Sequence, residues 1–102
     1  MKVLEKRIAS KGRHGQVVSG TVELRVPFGF WANVGLPKQA FVNLRCIPED
    51  AKGMRHIPLL GETITGVIIG FAGDEPRLSM LPEHLKNPTK APVLTRELIK
   101  PH

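Results

Sequence analysis

Phe28-Gly29-Phe30-Trp31 holds three of the five aromatic residues in a chain of 102. A tryptophan that points outward from a strand offers a flat apolar plate. Nucleobases stack on such plates for about 1–3 kcal/mol each, with little regard to sequence. Arg25, Arg45 and Arg77 share the outward parity of Trp31 or flank it. Arginine neutralises phosphate and also stacks on planar rings, so this grouping has the chemistry of a surface for single-stranded nucleic acid. Phe41 is adjacent by parity, either as a second plate or as a core residue. Lys38, Lys52 and Arg55 extend the charged track or serve solubility. Plainer readings stand beside these: surface arginines are usually just solvated, and Trp31 can pack beneath the leader or the tail.

Catalytic chemistry is poorly supplied. His14, His56, His84 and His102 fall in expected loops and tail, with no i, i+4 pair and no cysteine at metal-ligand spacing. Cys46, the single cysteine, continues the inward parity of Val42 and Leu44 and reads as a small core residue. No glycine-rich loop precedes a helix to cradle a phosphate. The chain is therefore expected to be no enzyme and to use neither cofactor nor metal.

Strands must position the aromatic and basic residues. In Gln16–Val26, Val18, Val22, Leu24 and Val26 share one parity, and Thr21, Glu23 and Arg25 the other. That alternation is a half-buried strand, and Gly20 within it marks a bend or a close backbone approach. After Pro27 and the corner at Phe28-Gly29, Phe30, Ala32 and Val34 face inward, leaving Trp31 and Asn33 outward. Gln39–Arg45 reads as a third strand. Cys46–Leu60 is a long connection with a turn of helix near Glu49–Lys52. Glu62–Phe71 and Arg77–Leu81 supply strands four and five. Pro82, Pro88, Pro92 and Pro101 make the remainder a tail, with two helical turns possible at Val93–Lys100. Five short strands with glycine at the corners predict a small closed barrel, because closure removes exposed edges. Its core is expected from Val18, Val22, Leu24, Phe30, Val34, Val42, Leu44, Ile64, Ile68 and Leu78.

Fifteen Lys+Arg against nine Asp+Glu leave a net charge of +6. The excess favours a polyanionic partner, nucleic acid first, with an acidic protein or a membrane surface behind it. The length suits one domain. A single cysteine suits a reducing compartment, and neither a signal-peptide core nor an 18-residue apolar run occurs. A cytoplasmic monomer is expected.

The order of these pieces resembles the S1 RNA-binding domain, an OB-fold barrel. The resemblance rests on Gly15-Gln16-Val17-Val18 with Gly20 and Val22, and on Phe28-Gly29-Phe30-Trp31 leading into Asn33-Val34-Gly35. It continues through Ala40-Phe41-Val42-Asn43-Leu44, Gly61-Glu62 with Ile64, and Arg77-Leu78-Ser79-Met80-Leu81. It implies an all-β, five-stranded antiparallel S1-like barrel over residues 15–81, with a basic leader at 1–14 and a Pro-rich tail, flexible or a short helix, at 82–102. It further implies that single-stranded RNA crosses one barrel face with low sequence specificity, in a ribosomal or RNA-processing setting. The family's two strand-two aromatics fall on Phe28 and Trp31, and its arginine on Arg77. Its histidine position is Asn43 here, and its aspartate position falls near Ala72. Those two departures keep a second reading open, in which the barrel face or the tail docks on an acidic protein as an adaptor.

Overall fold

The computed structural model describes residues 10–91. Its strands are β1 (Val17–Val26), β2 (Gly29–Asn33), β3 (Ala40–Asn43), β4 (Thr63–Ala72) and β5 (Glu75–Ser79), closed into a barrel in the order β1-β2-β3-β5-β4. Four seams are antiparallel. The fifth, β3 against β5, is parallel and pairs Phe41 with Arg77 and Val42 with Leu78. The wholly antiparallel arrangement implied by the sequence is modified there for a topological reason: directions can alternate around a closed ring only if the strand number is even.

Val18, Val22, Phe30, Val42, Ile64, Ile68 and Leu78 are buried together, as the alternation predicts. Cys46 is buried with them, while Val34 and Leu44 pack on the core from partly buried positions. Leu24 is the exception. It is 51% exposed, because the pairing of β1 with β2 slips between Val22 and Leu24. Glu23 is the extra residue, and such a bulge reverses the facing of everything after it.

β3 is shorter than expected. Asn43 Oδ1 accepts the Arg45 N–H at 2.9 Å and starts a 3-10 turn over Leu44–Cys46 in place of the last strand residues. The helical turn expected near Glu49–Lys52 is absent. Asp50 instead accepts the N–H groups of Lys52 and Met54 at 2.8 and 2.9 Å and pairs with His56 at 2.7 Å. These bonds hold the Asp50 carboxyl below its ordinary value. Arg55 ties the same connection down by donating to the carbonyls of Arg45 and Ile47 and to Glu49.

Residues 82–91 form a strap on the barrel. Pro82–Lys86 is a short helix, α1, and a 3-10 turn follows at Pro88–Lys90. Ser79 Oγ and His84 Nδ1 share a 2.6 Å hydrogen bond, and Ala91 is buried with its carbonyl 3.1 Å from His14 Nε2. The helical turns expected at Val93–Lys100 and most of the basic leader at 1–14 lie outside the described residues.

Gly20 marks a close approach between strands. A Cβ there would collide with the Asn33 carbonyl oxygen and stand 2.7 Å from Val34 Cα. Gly20→Ala should therefore destabilise the barrel by at least about 2 kcal/mol. Urea unfolding followed by Trp31 fluorescence measures the loss.

Candidate nucleic-acid interface

One row of outward side chains crosses four strands. Leu24 pairs with Trp31, Trp31 with Phe41, and Phe41 with Arg77. Cross-strand partners share a face of the sheet, so residues from position 24 to position 77 become neighbours. Trp31 and Phe41 lie 4.8 Å apart between centroids, tilted by 55°, and Phe28 tilts onto Phe41 at 5.7 Å. Phe41 is only 3% exposed. It is the floor of the platform, not an open second plate, and the half-buried Trp31 and Phe28 carry the accessible surface.

Gly29 lets the floor lie flat. A Cβ at this residue would sit 2.7 Å from Phe41 Cζ and collide with the Val42 carbonyl. The Phe-Gly-Phe-Trp run thus has a division of labour. Phe30 fills the core, Gly29 makes room for a ring from the next strand, and Phe28 and Trp31 flank that ring.

Arg77 closes the platform. Its guanidinium carbon lies 5.0 Å from the Phe41 centroid and 5.7 Å from that of Trp31, within cation–π range. The side chain is 15% exposed, and its buried Nε has no hydrogen-bond partner among the described residues. Burial pulls its pKa down, and the nearby Glu75 carboxylate opposes that shift. Nη2 stands 3.6 Å from Glu75 Oε1.

Glu75 is the site residue that sequence reasoning missed. Ala72 offers no carboxylate at the family's acidic position, but Glu75 is its cross-strand partner. The acid of this chain stands on the opposite side of the β4–β5 hairpin. Two residues flanking a tight turn are spatial neighbours, and the spacing Ala72-Gly73-Asp74-Glu75 carried that signal.

The remaining predicted residues divide. Asn43 and Arg45 line a cleft of about 90 Å³ beside Phe28, together with Pro27 and Leu44. Asn43 spends its Oδ1 on the Arg45 main chain, so hydrogen bonding to a ligand falls to its amide nitrogen. Arg25 does not join the platform. The bulge at Glu23 puts it opposite Phe30, and its Nη2 donates to the Ile57 carbonyl at 3.0 Å. Lys11 lies over Phe71 at 4.6 Å and 3.7 Å from Asp74, away from the aromatic row.

Among the described residues no cluster of His, Cys, Asp and Glu is arranged to hold a metal ion. Cys46 is buried, and burial pushes its thiol pKa up against the opposing hydrogen bond from Ser79 and the charges of Arg55 and Arg45. A neutral, enclosed thiol is a poor nucleophile.

No family model matches the sequence, and no curated protein matches it either. Solved structures do match. The uncharacterized protein MJ1198 from Methanocaldococcus jannaschii superposes with a TM-score of 0.58 at 16% identity, over 70% of this chain and 95% of that one. A putative exosome complex RNA-binding protein gives 0.55 at 18% identity, over 66% of this chain and 42% of that one. A chain of the a/eIF2alpha–aDim2p–rRNA complex from Pyrococcus horikoshii OT3 gives 0.58 at 16%, over 74% and 49%. This chain thus spans under half the length of the last two. The fold is the five-stranded OB barrel. In this barrel, Phe28, Trp31 and Arg77 converge through a third ring, Phe41, which belongs to none of the five positions implied by the resemblance.

Two outcomes test the geometry without any ligand. Phe41→Ala should red-shift the emission of Trp31, the sole tryptophan, and cost about 3–5 kcal/mol in denaturant unfolding. At neutral pH a thiol reagent should modify Cys46 at the rate of unfolding. Rapid reaction in the native state would contradict its burial.

Proposed function

We propose that this chain is a non-catalytic RNA-binding module that holds a single strand against the Trp31–Phe41–Arg77 platform. The observation that carries the reading is the stack itself: an arginine held over two rings on an outer barrel face. An arginine in that position meets a phosphate while the accessible ring beside it meets a base. The positive net charge supports a polyanionic partner. Two of the structures sharing the fold support RNA as that polyanion, one being a putative exosome complex RNA-binding protein and the other part of a complex containing rRNA.

The mechanism divides between two forces. Phe28 and Trp31 take the base by stacking, with low sequence preference, and Asn43 contributes one donor from the cleft beside Phe28. Arg77 and Arg45 supply the charge. Glu75 stands where a phosphate would meet Arg77, so the ligand competes with a carboxylate already in place. A ribosomal or RNA-processing setting, a cytoplasmic location and a monomeric state accompany this reading as proposals.

Titration of a fluorescent oligonucleotide at several salt concentrations tests it. Each phosphate neutralised on a single strand contributes about −0.7 to the slope of log K against log salt, so two contacts predict roughly −1.4. Arg77→Gln should remove about 0.7 of that slope, and Trp31→Ala should weaken binding by about 1–3 kcal/mol with the slope unchanged. Glu75→Gln should tighten binding by about two- to fivefold at low salt, the scale of a single partly exposed charge pair. Absence of saturable binding at low salt would defeat the RNA reading in favour of an adaptor that docks on an acidic protein.

A further inference from the structure

Leu24 is out of place for a leucine. The alternation of β1 assigns it to the core, yet it is 51% exposed, and it is the direct cross-strand partner of Trp31. The cause is the single extra residue at Glu23. Bulges next to functional sites commonly re-aim a side chain, and this one turns an aliphatic side chain from the interior toward the aromatic row. Glu23 itself accepts a 2.6 Å hydrogen bond from Gln39 Nε2. That bond joins the bulge to the segment entering β3 and holds it in register.

The surroundings extend the same surface. The upper half of β1 does not pair with β4, whose register with β1 covers only Val17–Thr21. The connection before β4 takes that edge instead: Val22 N–H donates to the Glu62 carbonyl, Gly61 N–H to the Val22 carbonyl, and Arg25 to the Ile57 carbonyl. These bonds bring Leu59 and Leu60, exposed by 60% and 63%, to the edge of β1 beside the half that carries Leu24. Three of the five large exposed apolar residues among those described therefore lie on the upper half of β1 or on the connection bonded to it. At the other end of the row, Gly70 pairs with Arg77 and adds no side chain. The row is apolar toward β1 and charged toward β5.

We propose that Leu24 forms a second nucleobase position, so that the bound strand runs from Arg77 across Trp31 to Leu24 and engages at least two consecutive nucleotides. This rests on the RNA-binding reading of the platform and adds the direction of the strand and a residue to it. An aliphatic side chain receives the face of a base by burying its own exposed surface and asks for no hydrogen bond, which suits a site with little sequence preference. The neighbouring charged side chains are engaged elsewhere, Arg25 with the Ile57 carbonyl and Glu23 with Gln39.

The test compares wild type, Leu24→Ala, Leu24→Phe and Trp31→Ala in titrations with fluorescent oligouridylate at several salt concentrations, alongside thermal unfolding. Leu24→Ala is expected to weaken binding about fivefold, the yield of burying roughly half a leucine side chain. Its salt slope and melting temperature should match wild type, since the residue is uncharged and outside the core. Leu24→Phe should bind at least as tightly as wild type, because a larger plate occupies the same position. Wild-type affinity for Leu24→Ala, alongside weakened Trp31→Ala, would overturn the second position and leave the platform reading intact. A drop for Leu24→Ala accompanied by a matching loss of thermal stability would assign Leu24 a structural role and also overturn it. Failure of wild type to bind any oligonucleotide at low salt would defeat the platform reading itself.

Discussion

A missing side chain lets the outer face exist. Gly29 has no Cβ, and into that space the Phe41 ring lies down against the barrel wall. With the ring flat, Phe28 and Trp31 tilt onto it from either side and the Arg77 guanidinium comes to rest above it. A methyl group at position 29 would lift the ring and separate all three. The platform is consequently a packed unit with one buried member, and its two accessible rings are pre-positioned before any ligand arrives. Preorganisation of this kind lowers the side-chain entropy lost on association.

Barrel closure supplies the other half of the arrangement. Because five strands cannot alternate in direction around a ring, one seam must be parallel, and here it joins β3 to β5. That seam puts Arg77 beside Phe41, although they lie far apart along the chain. A flat sheet of the same strands, opened at this seam, would leave the arginine at one edge and the aromatics elsewhere. The cation–π geometry and the closure of the core are thus consequences of a single set of backbone hydrogen bonds. Loss of the seam would abolish both together.

Much of this was legible in the residues. The alternation in β1 and β2 located Phe30 inside and Trp31 outside, and Gly20 announced a close approach that the Asn33 backbone makes real. The misreadings have local physical causes. Period-two alternation contains no term for an inserted residue, so the bulge at Glu23 took Leu24 out of the core and Arg25 off the aromatic row. Strand propensity in Gln39–Arg45 concealed that Asn43 would cap a 3-10 turn with its own side chain. What composition does not carry for the stretch after Leu81 is its docking, since the Ser79–His84 bond and the burial of Ala91 are tertiary contacts. Glu75 was hidden by counting positions along the chain when the relevant neighbour lay across a hairpin.

The strap brings the two ends of the described chain together. Gly15 bonds to Ile68 on β4, His14 meets the Ala91 carbonyl, and the backbone of Thr89 passes over Gly15. The chain therefore arrives and departs side by side, at the β1–β4 seam, while Trp31, Phe41 and Arg77 occupy β2, β3 and β5. A unit built this way behaves as a cassette. It can sit between other polypeptide segments, be tethered to a surface, or be circularly permuted by a short linker joining its ends. Within the described residues, the points of attachment at His14 and Ala91 lie at the β1–β4 seam and the aromatic row lies on other strands.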